Sequence, residues 1–179
     1  MSHGGPDYSI TTAGGSGLVM IGTTFPVTPY LDELFYRTDL ELLCHWNGIY
    51  WLTENEYSAS LSLVTGLAAD TYYQYRVRSD YTPYLTRVSY TARVNTTNDA
   101  TNYWKLRITV MSNGPWTIVS TPFNQNTSAD GIGNFVEHEA YVNVKCDTTI
   151  RWLATYLTKT SAPGTLDVGC TFYYRLVVT

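Results

Sequence analysis

Lysine is almost missing from this sequence, and charge in general is sparse. Only Lys105, Lys145 and Lys159 occur, and Asp, Glu, Lys and Arg together make up 15% of the chain, against the usual quarter. Eleven basic residues face 15 acidic ones, a formal net charge of −4. The basic surface that a nucleic-acid-binding domain ordinarily presents is therefore not expected. Cysteine is scarce too: Cys44, Cys146 and Cys170 are an odd number, far from a disulfide framework. No apolar run approaches the ~18 residues of a membrane helix. The start, Met1 to Pro6, has neither the basic nor the apolar region of a secretory signal. Phosphate loops, GxSxG and CxxC are missing as well.

What fills the chain is strand-forming composition. Sixteen Tyr and five Trp accompany many Thr and Val, and 44% of the residues are hydrophobic. β-Branched and aromatic side chains suit a pleated, half-buried surface, so the chain is expected to fold and to do so as β-structure. From Asp70 onward the period is two. Tyr73, Tyr75 and Val77 alternate with polar residues, as do Val88, Tyr90, Ala92 and Val94. Trp104, Leu106, Ile108 and Val110 follow the same rule, then Ala140, Val142, Val144 and Cys146. In the last segment Leu166, Val168, Cys170, Phe172, Tyr174 and Leu176 share one face, after the turn Ser161-Ala-Pro-Gly164. One wet and one buried face per strand is the antiparallel, two-layer situation. The fold class predicted is all-β, an antiparallel jelly-roll-like β-sandwich with an N-terminal arm and a small hairpin module.

Three segments are expected. Residues 1–24, rich in Gly, Ser and Thr at the start, form an extended arm; 25–66 form the hairpin module; 67–179 form the sandwich. Within the module, Asn47-Gly48 between apolar runs predicts a tight turn in which both residues take positive φ. The stretch 54–68 is read as a strand or connector, and 122–134 as a long loop with little to bury.

Candidate chemistry is thin. Cys44 and His45 are adjacent, so on a strand they point to opposite faces and cannot act as a dyad. Glu137, His138 and Glu139 offer only two oxygen ligands on one face, too few for a metal site. Asn95-Thr96-Thr97 and Asn126-Thr127-Ser128 match the glycosylation sequon by chance. No enzymatic activity and no cofactor are expected.

Residues 25–52, Phe25-Pro-Val-Thr-Pro-Tyr through Trp51-Leu52, resemble a small module of phage tail and other virion proteins. Phe35, Tyr36, Asp39, Trp46, Gly48 and Trp51 occupy its characteristic places, although Glu33-Leu34 stand where many members have Gly-Asp. The C-terminal half, from Asn102 to Val178, resembles jelly-roll-type sandwiches of tail-fibre or head-surface proteins. The resemblance implies a bacteriophage virion structural protein, such as a tail-fibre or capsid-decoration subunit, made in the host cytoplasm and placed at the virion surface. Its partners would be other virion subunits and copies of itself, a trimer being preferred, with host-surface glycan as a candidate ligand. A stand-alone carbohydrate-binding module is the alternative. The interface is expected at Phe35, Tyr36, Trp46 and Trp51, because one hairpin cannot bury so much aromatic surface. For a saccharide, the expected strip is Tyr103, Lys105, Arg107, Tyr141 and Asn143, which share the wet parity of two strands taken as neighbours.

Overall fold

A computed structural model describes residues 9–13, 17–76, 81–111, 118–146 and 152–179; within these, side chains are described from residue 19 onward except at 76, 110, 111, 118–120 and 152. Thirteen strands and no helix occur among them. The chain divides into two compact units, residues 57–174 and residues 1–56 with 175–179.

The larger unit is a β-sandwich of eight strands. They are β6 (Tyr57–Leu67), β7 (Thr71–Arg76), β8 (Thr82–Val94), β9 (Tyr103–Met111), β10 (Ile118–Asn126), β11 (Val136–Lys145), β12 (Trp152–Thr160) and β13 (Leu166–Val178), the last running on into the other unit. One sheet has the order β6-β13-β8-β11, the other β10-β9-β12-β7. The pairings nest: β6 with β13, β7 with β12, β8 with β11 and β9 with β10, all antiparallel. The chain thus folds as one long hairpin doubled on itself and rolled, which brings β13 beside β8 and β12 beside β9. This is the jelly-roll topology, two Greek keys in two sheets. It agrees with the predicted fold class.

Parity places the core. Val88, Tyr90, Trp104, Leu106, Ile108, Val168, Cys170 and Phe172 are all buried. Val142 and Val144 keep the predicted parity but are only half-buried. They lie on β11, an edge strand with a neighbour on one side only. Tyr90, wholly buried, donates its hydroxyl to the Arg107 carbonyl (2.9 Å) and tilts against Phe123 at 5.1 Å. Burial pushes its phenol well above the ordinary value.

The predicted loop over 122–134 is largely wrong at its start. Residues up to Asn126 continue strand β10, and Phe123 is buried opposite Ile108. The true connection, 127–135, is tied down by one buried hydroxyl. Thr127 Oγ1 donates to Asn98 Oδ1 (2.9 Å) and accepts from the Trp104 N–H (3.1 Å). Asn98 Nδ2 in turn donates to the carbonyls of Thr127 and Asp130, and His138 Nε2 lies 2.7 Å from Asp130 Oδ2. The polar residues that look like loop are the ones that organise it.

The smaller unit is a sheet of β1 (Ser9–Ala13), β2 (Gly17–Gly22), β3 (Leu34–Arg37), β4 (Leu42–Trp46) and β5 (Trp51–Thr53). β2 pairs with β3 in parallel, and the other contacts are antiparallel. Val177 and Val178 pair with Leu52 and Trp51. Two expected boundaries therefore change. Part of the 1–24 arm is strand, because β2 has a partner in β3. The module ends at residue 56 instead of 66, since β6 pairs with β13 and belongs to the sandwich. Residues 57–67 form the strand that the reading of 54–68 allowed.

Candidate functional site

In the smaller unit the aromatic residues form their own core. Phe25 stacks flat on Trp51 at 4.6 Å between ring centroids, with an interplanar angle of 6°. Phe35 meets both rings, at 5.2 and 5.9 Å, and Trp46 meets Trp51 at 5.6 Å. Arg37 closes the cluster with its guanidinium 4.8 Å from the centre of the Phe25 ring. The same group is held by Asp39 through two bonds of 2.9 and 2.8 Å and donates to the Thr179 carbonyl. The Arg37 hydrogen bond holds the Asp39 carboxyl below its usual value.

This revises the expected interface. Phe35 is 0% and Trp51 is 5% exposed, so both serve the module's interior. Tyr36 and Trp46 are half-buried. The sequence argument counted one hairpin; the structure supplies Phe25 and further strands. The most exposed apolar side chains of this unit are others: Val27, Tyr30, Leu31 and Ile49, with exposures of 91, 81, 69 and 67%. Leu31 lies against the Gly48 turn, its Cδ1 3.6 Å from where a Cβ on Gly48 would stand. Two turns present this patch. The Asp32 N–H donates to the Trp46 carbonyl (2.8 Å) and the Trp46 N–H to the Glu33 carbonyl (3.0 Å). In the second turn the Asn47 N–H donates to the Tyr50 carbonyl, and Asn47 Oδ1 accepts from the N–H groups of Ile49 and Tyr50. Gly48 and Ile49 are therefore the turn centre. Gly48 takes positive φ (93°) and Asn47 does not, one residue off the predicted register, because the Asn47 side chain caps the turn instead.

The expected saccharide strip is divided by the fold. Tyr103, Lys105 and Arg107 lie on β9, whose neighbours are β10 and β12. Tyr141 and Asn143 lie on β11, which pairs with β8 in the other sheet. Parity said which face is wet but not which strands are adjacent. Asn143 also sits at a β-bulge, with φ 47°, where the pairing shifts between Tyr141 and Val144.

The true neighbours of Arg107 form a row across the second sheet. Tyr72 is opposite Tyr156, Tyr156 opposite Arg107, and Arg107 opposite Asn124. The next row holds Thr158, Lys105 and Asn126. Tyr72 is 57% exposed, and its ring stacks on that of Tyr156 at 5.5 Å and 20°. Arg107 donates one terminal N–H to Thr158 Oγ1 (3.1 Å), while its Nε has no hydrogen-bond partner among the described residues. Sequence reasoning missed Tyr72, Tyr156, Thr158, Asn124 and Asn126. The nested pairing would have been the signal.

At the opening between the two sheets lies a cleft of about 120 Å³ lined by Leu61, Tyr73, Tyr75, Thr155 and Phe172, among others. Tyr75 meets Phe172 edge-on at 5.0 Å. The cysteines offer no reactive thiol: burial pushes Cys44 up to about 11, and Cys146 and Cys170 up to about 12. His45 Nδ1 lies 2.9 Å from Glu54 Oε2, an ion-pair distance without hydrogen-bond geometry. Among the described residues no three His, Cys, Asp or Glu side chains converge as a metal site would need, and no helix is long and apolar enough to cross a membrane.

No protein-family model and no curated protein matches the chain. Among solved structures it is similar to the VP2 subviral particle of infectious bursal disease virus, at 4% identity and a TM-score of 0.45, covering 69% of this chain and 33% of that one. It is also similar to a subunit of the disulfide-linked pili of Bacillus endospore appendages (15%, TM-score 0.34, 76% and 96% covered) and to Desmodium yellow mottle tymovirus (12%, TM-score 0.34, 69% and 86% covered). The chain spans about a third of the VP2 chain. All three scores lie below 0.5, and the jelly-roll architecture rests on this chain's own strand order.

Proposed function

We propose that this chain is a virion structural subunit, of a bacteriophage on the resemblance of its 25–52 segment, with no catalytic activity of its own. It would hold its place by contacts with copies of itself and with other virion subunits, and expose the sandwich at the virion surface. The observation that carries the reading is the exposed patch of Val27, Tyr30, Leu31 and Ile49. These side chains stand outside the aromatic core, and large apolar side chains gathered in the open usually mark a contact. Pro26 and Pro29 fix the backbone next to it, so little entropy is lost when the patch is covered. A covering surface supplied by a second copy implies a symmetric oligomer, and a trimer is the state we favour. Negative-stain electron microscopy of the purified chain tests this. Particles of uniform size and rotational symmetry are expected; single 20 kDa monomers would overturn it.

A stand-alone carbohydrate-binding module remains the second reading, favoured by the tyrosine pair on the second sheet. It is distinguished by a monomer that binds saccharide unaided.

A further inference from the structure

The two sheets of the sandwich differ in charge. Strands β7, β9, β10 and β12 contain Arg76, Lys105, Arg107 and Lys159 and no Asp or Glu, in a chain with more acids than bases. Among the described residues, the acids in flanking turns are already engaged. Asp70 accepts from the Lys159 N–H (2.8 Å), and Lys159 Nζ donates to the Ala68 carbonyl. Asp99 accepts from the N–H groups and side chains of Thr101 and Asn102. On the other sheet three cations are ion-paired: Arg87 meets Glu139, Arg93 meets Asp167 and Arg175 meets Glu54. Lys105, by contrast, has no ion-pair partner among the described residues, and Arg107 is bonded only to the neutral Thr158.

From this we infer that the outer face of the second sheet binds a carboxylate-bearing oligosaccharide, with Tyr72 and Tyr156 as the stacking platform and Lys105 and Arg107 as the carboxylate clamp. The inference deepens the surface role proposed above and rests on it for the accessibility of the face in the assembly. Strands stand about 4.8 Å apart, so Tyr72 and Arg107, two strands apart, are separated by roughly 10 Å of sheet. A ligand spanning both must be longer than one sugar ring. The sugar's C–H face lies on the exposed tyrosine ring, its hydroxyls meet Thr158, Asn124 and Asn126, and its carboxylate takes the terminal N–H groups of Arg107 that Thr158 leaves unused, the Nε being buried. A single-stranded nucleic acid is the weaker fit. Its bases need free ring faces, and here the two tyrosines cover one face of each other.

The test is calorimetric titration of the full chain with tetragalacturonate, its neutral methyl ester, a sialylated trisaccharide and an oligothymidylate of equal charge. Sedimentation of the same samples reports the oligomeric state separately, so loss of assembly and loss of binding are read apart. We expect an acidic saccharide to bind, binding at least tenfold weaker for the methyl ester, and weakening by added salt. Tyr72→Ala and Arg107→Gln should each reduce affinity at least tenfold, as should Lys105→Gln, which alters a half-exposed side chain and leaves the fold intact. Tyr141→Ala, on the other sheet, should change nothing. The proposal is overturned by no binding of either acidic saccharide, by equal binding of the ester or the oligothymidylate, or by binding that survives the three platform variants and is lost on Tyr75→Ala, which would place the ligand in the cleft.

Discussion

Replacing Gly164 by alanine puts one methyl group where three atoms already stand. The new Cβ would lie 2.3 Å from Thr96 Oγ1, 2.7 Å from Thr96 N and 2.9 Å from Thr97 N. The hydroxyl can rotate away; the two backbone nitrogens cannot. Ordinary contact begins near 3.4 Å, so the segment must move by several tenths of an ångström. That movement strains two bonds that join the last hairpin turn to its surroundings. The Gly164 N–H donates to the Thr97 carbonyl (2.7 Å), and Trp104 Nε1–H donates to the Gly164 carbonyl (2.8 Å). Overpacking costs about 1–3 kcal/mol, and each weakened hydrogen bond about 1 kcal/mol. The expected destabilisation is about 2–4 kcal/mol. With a urea m-value on the order of 2 kcal/mol/M, the unfolding midpoint should fall by about 1–2 M. Trp104 fluorescence and far-ultraviolet circular dichroism should report the same transition. Gly169→Ala is the control: its nearest contacts are at 3.8 and 3.9 Å, and a shift within ~0.5 kcal/mol is expected. Equal midpoints for Gly164→Ala and the parent would refute the close approach of this turn to residues 96 and 97.

Other perturbations follow from the same contacts. Trp51→Ala removes the ring on which Phe25, Phe35 and Trp46 converge, and should cost about 3–5 kcal/mol in the smaller unit; amide exchange should speed up in β3–β5 while β8 and β9 stay protected. Thr127→Val keeps the shape but strands the Trp104 N–H and Asn98, an expected loss of about 1–3 kcal/mol by chemical denaturation. At Asp167 burial by itself would raise the carboxyl, but Arg93, the Gly66 N–H and Asn95 outweigh it, and the net shift is downward. Its contribution is therefore fully present above the unfolded value near pH 4 and lost as pH falls through the lower folded value. Asp167→Asn should flatten that part of the stability–pH curve, and an unchanged slope would refute the assignment. The three buried thiols should stay unreactive toward an aromatic disulfide at pH 8 until the chain is unfolded.

Much of this architecture was legible as periodicity. Alternation marked β8, β9, β11 and β13, because each has one face on the core and one in water, and it placed Trp104, Ile108 and Cys170 correctly. It could not say which strands lie together. In a jelly roll β9 and β11 face different partners in different sheets, and a period of two carries no information about pairing. Parity alone therefore groups Tyr103 with Tyr141 and leaves Tyr72 out. Sequence shows 122–134 only as a long loop with little to bury, because the order over 127–135 comes from Thr127 and Asn98, short polar side chains whose partners are distant in sequence. The aromatic excess at 35–51 was real, but its resolution depended on Phe25 folding back, a contact between turn and strand that no local pattern announces.

Copies of this chain are expected to meet through the exposed apolar surface on the smaller unit. Sedimentation velocity at micromolar concentration tests it most directly, run on the parent and on a Leu31→Ser, Ile49→Ser double variant. Both residues are exposed, so the variant should keep the parent's circular dichroism spectrum. A closed oligomer, of three copies on this account, is expected for the parent and a monomer for the variant. A parent that sediments as a monomer, or a variant that assembles as the parent does, would show that this surface is not the contact.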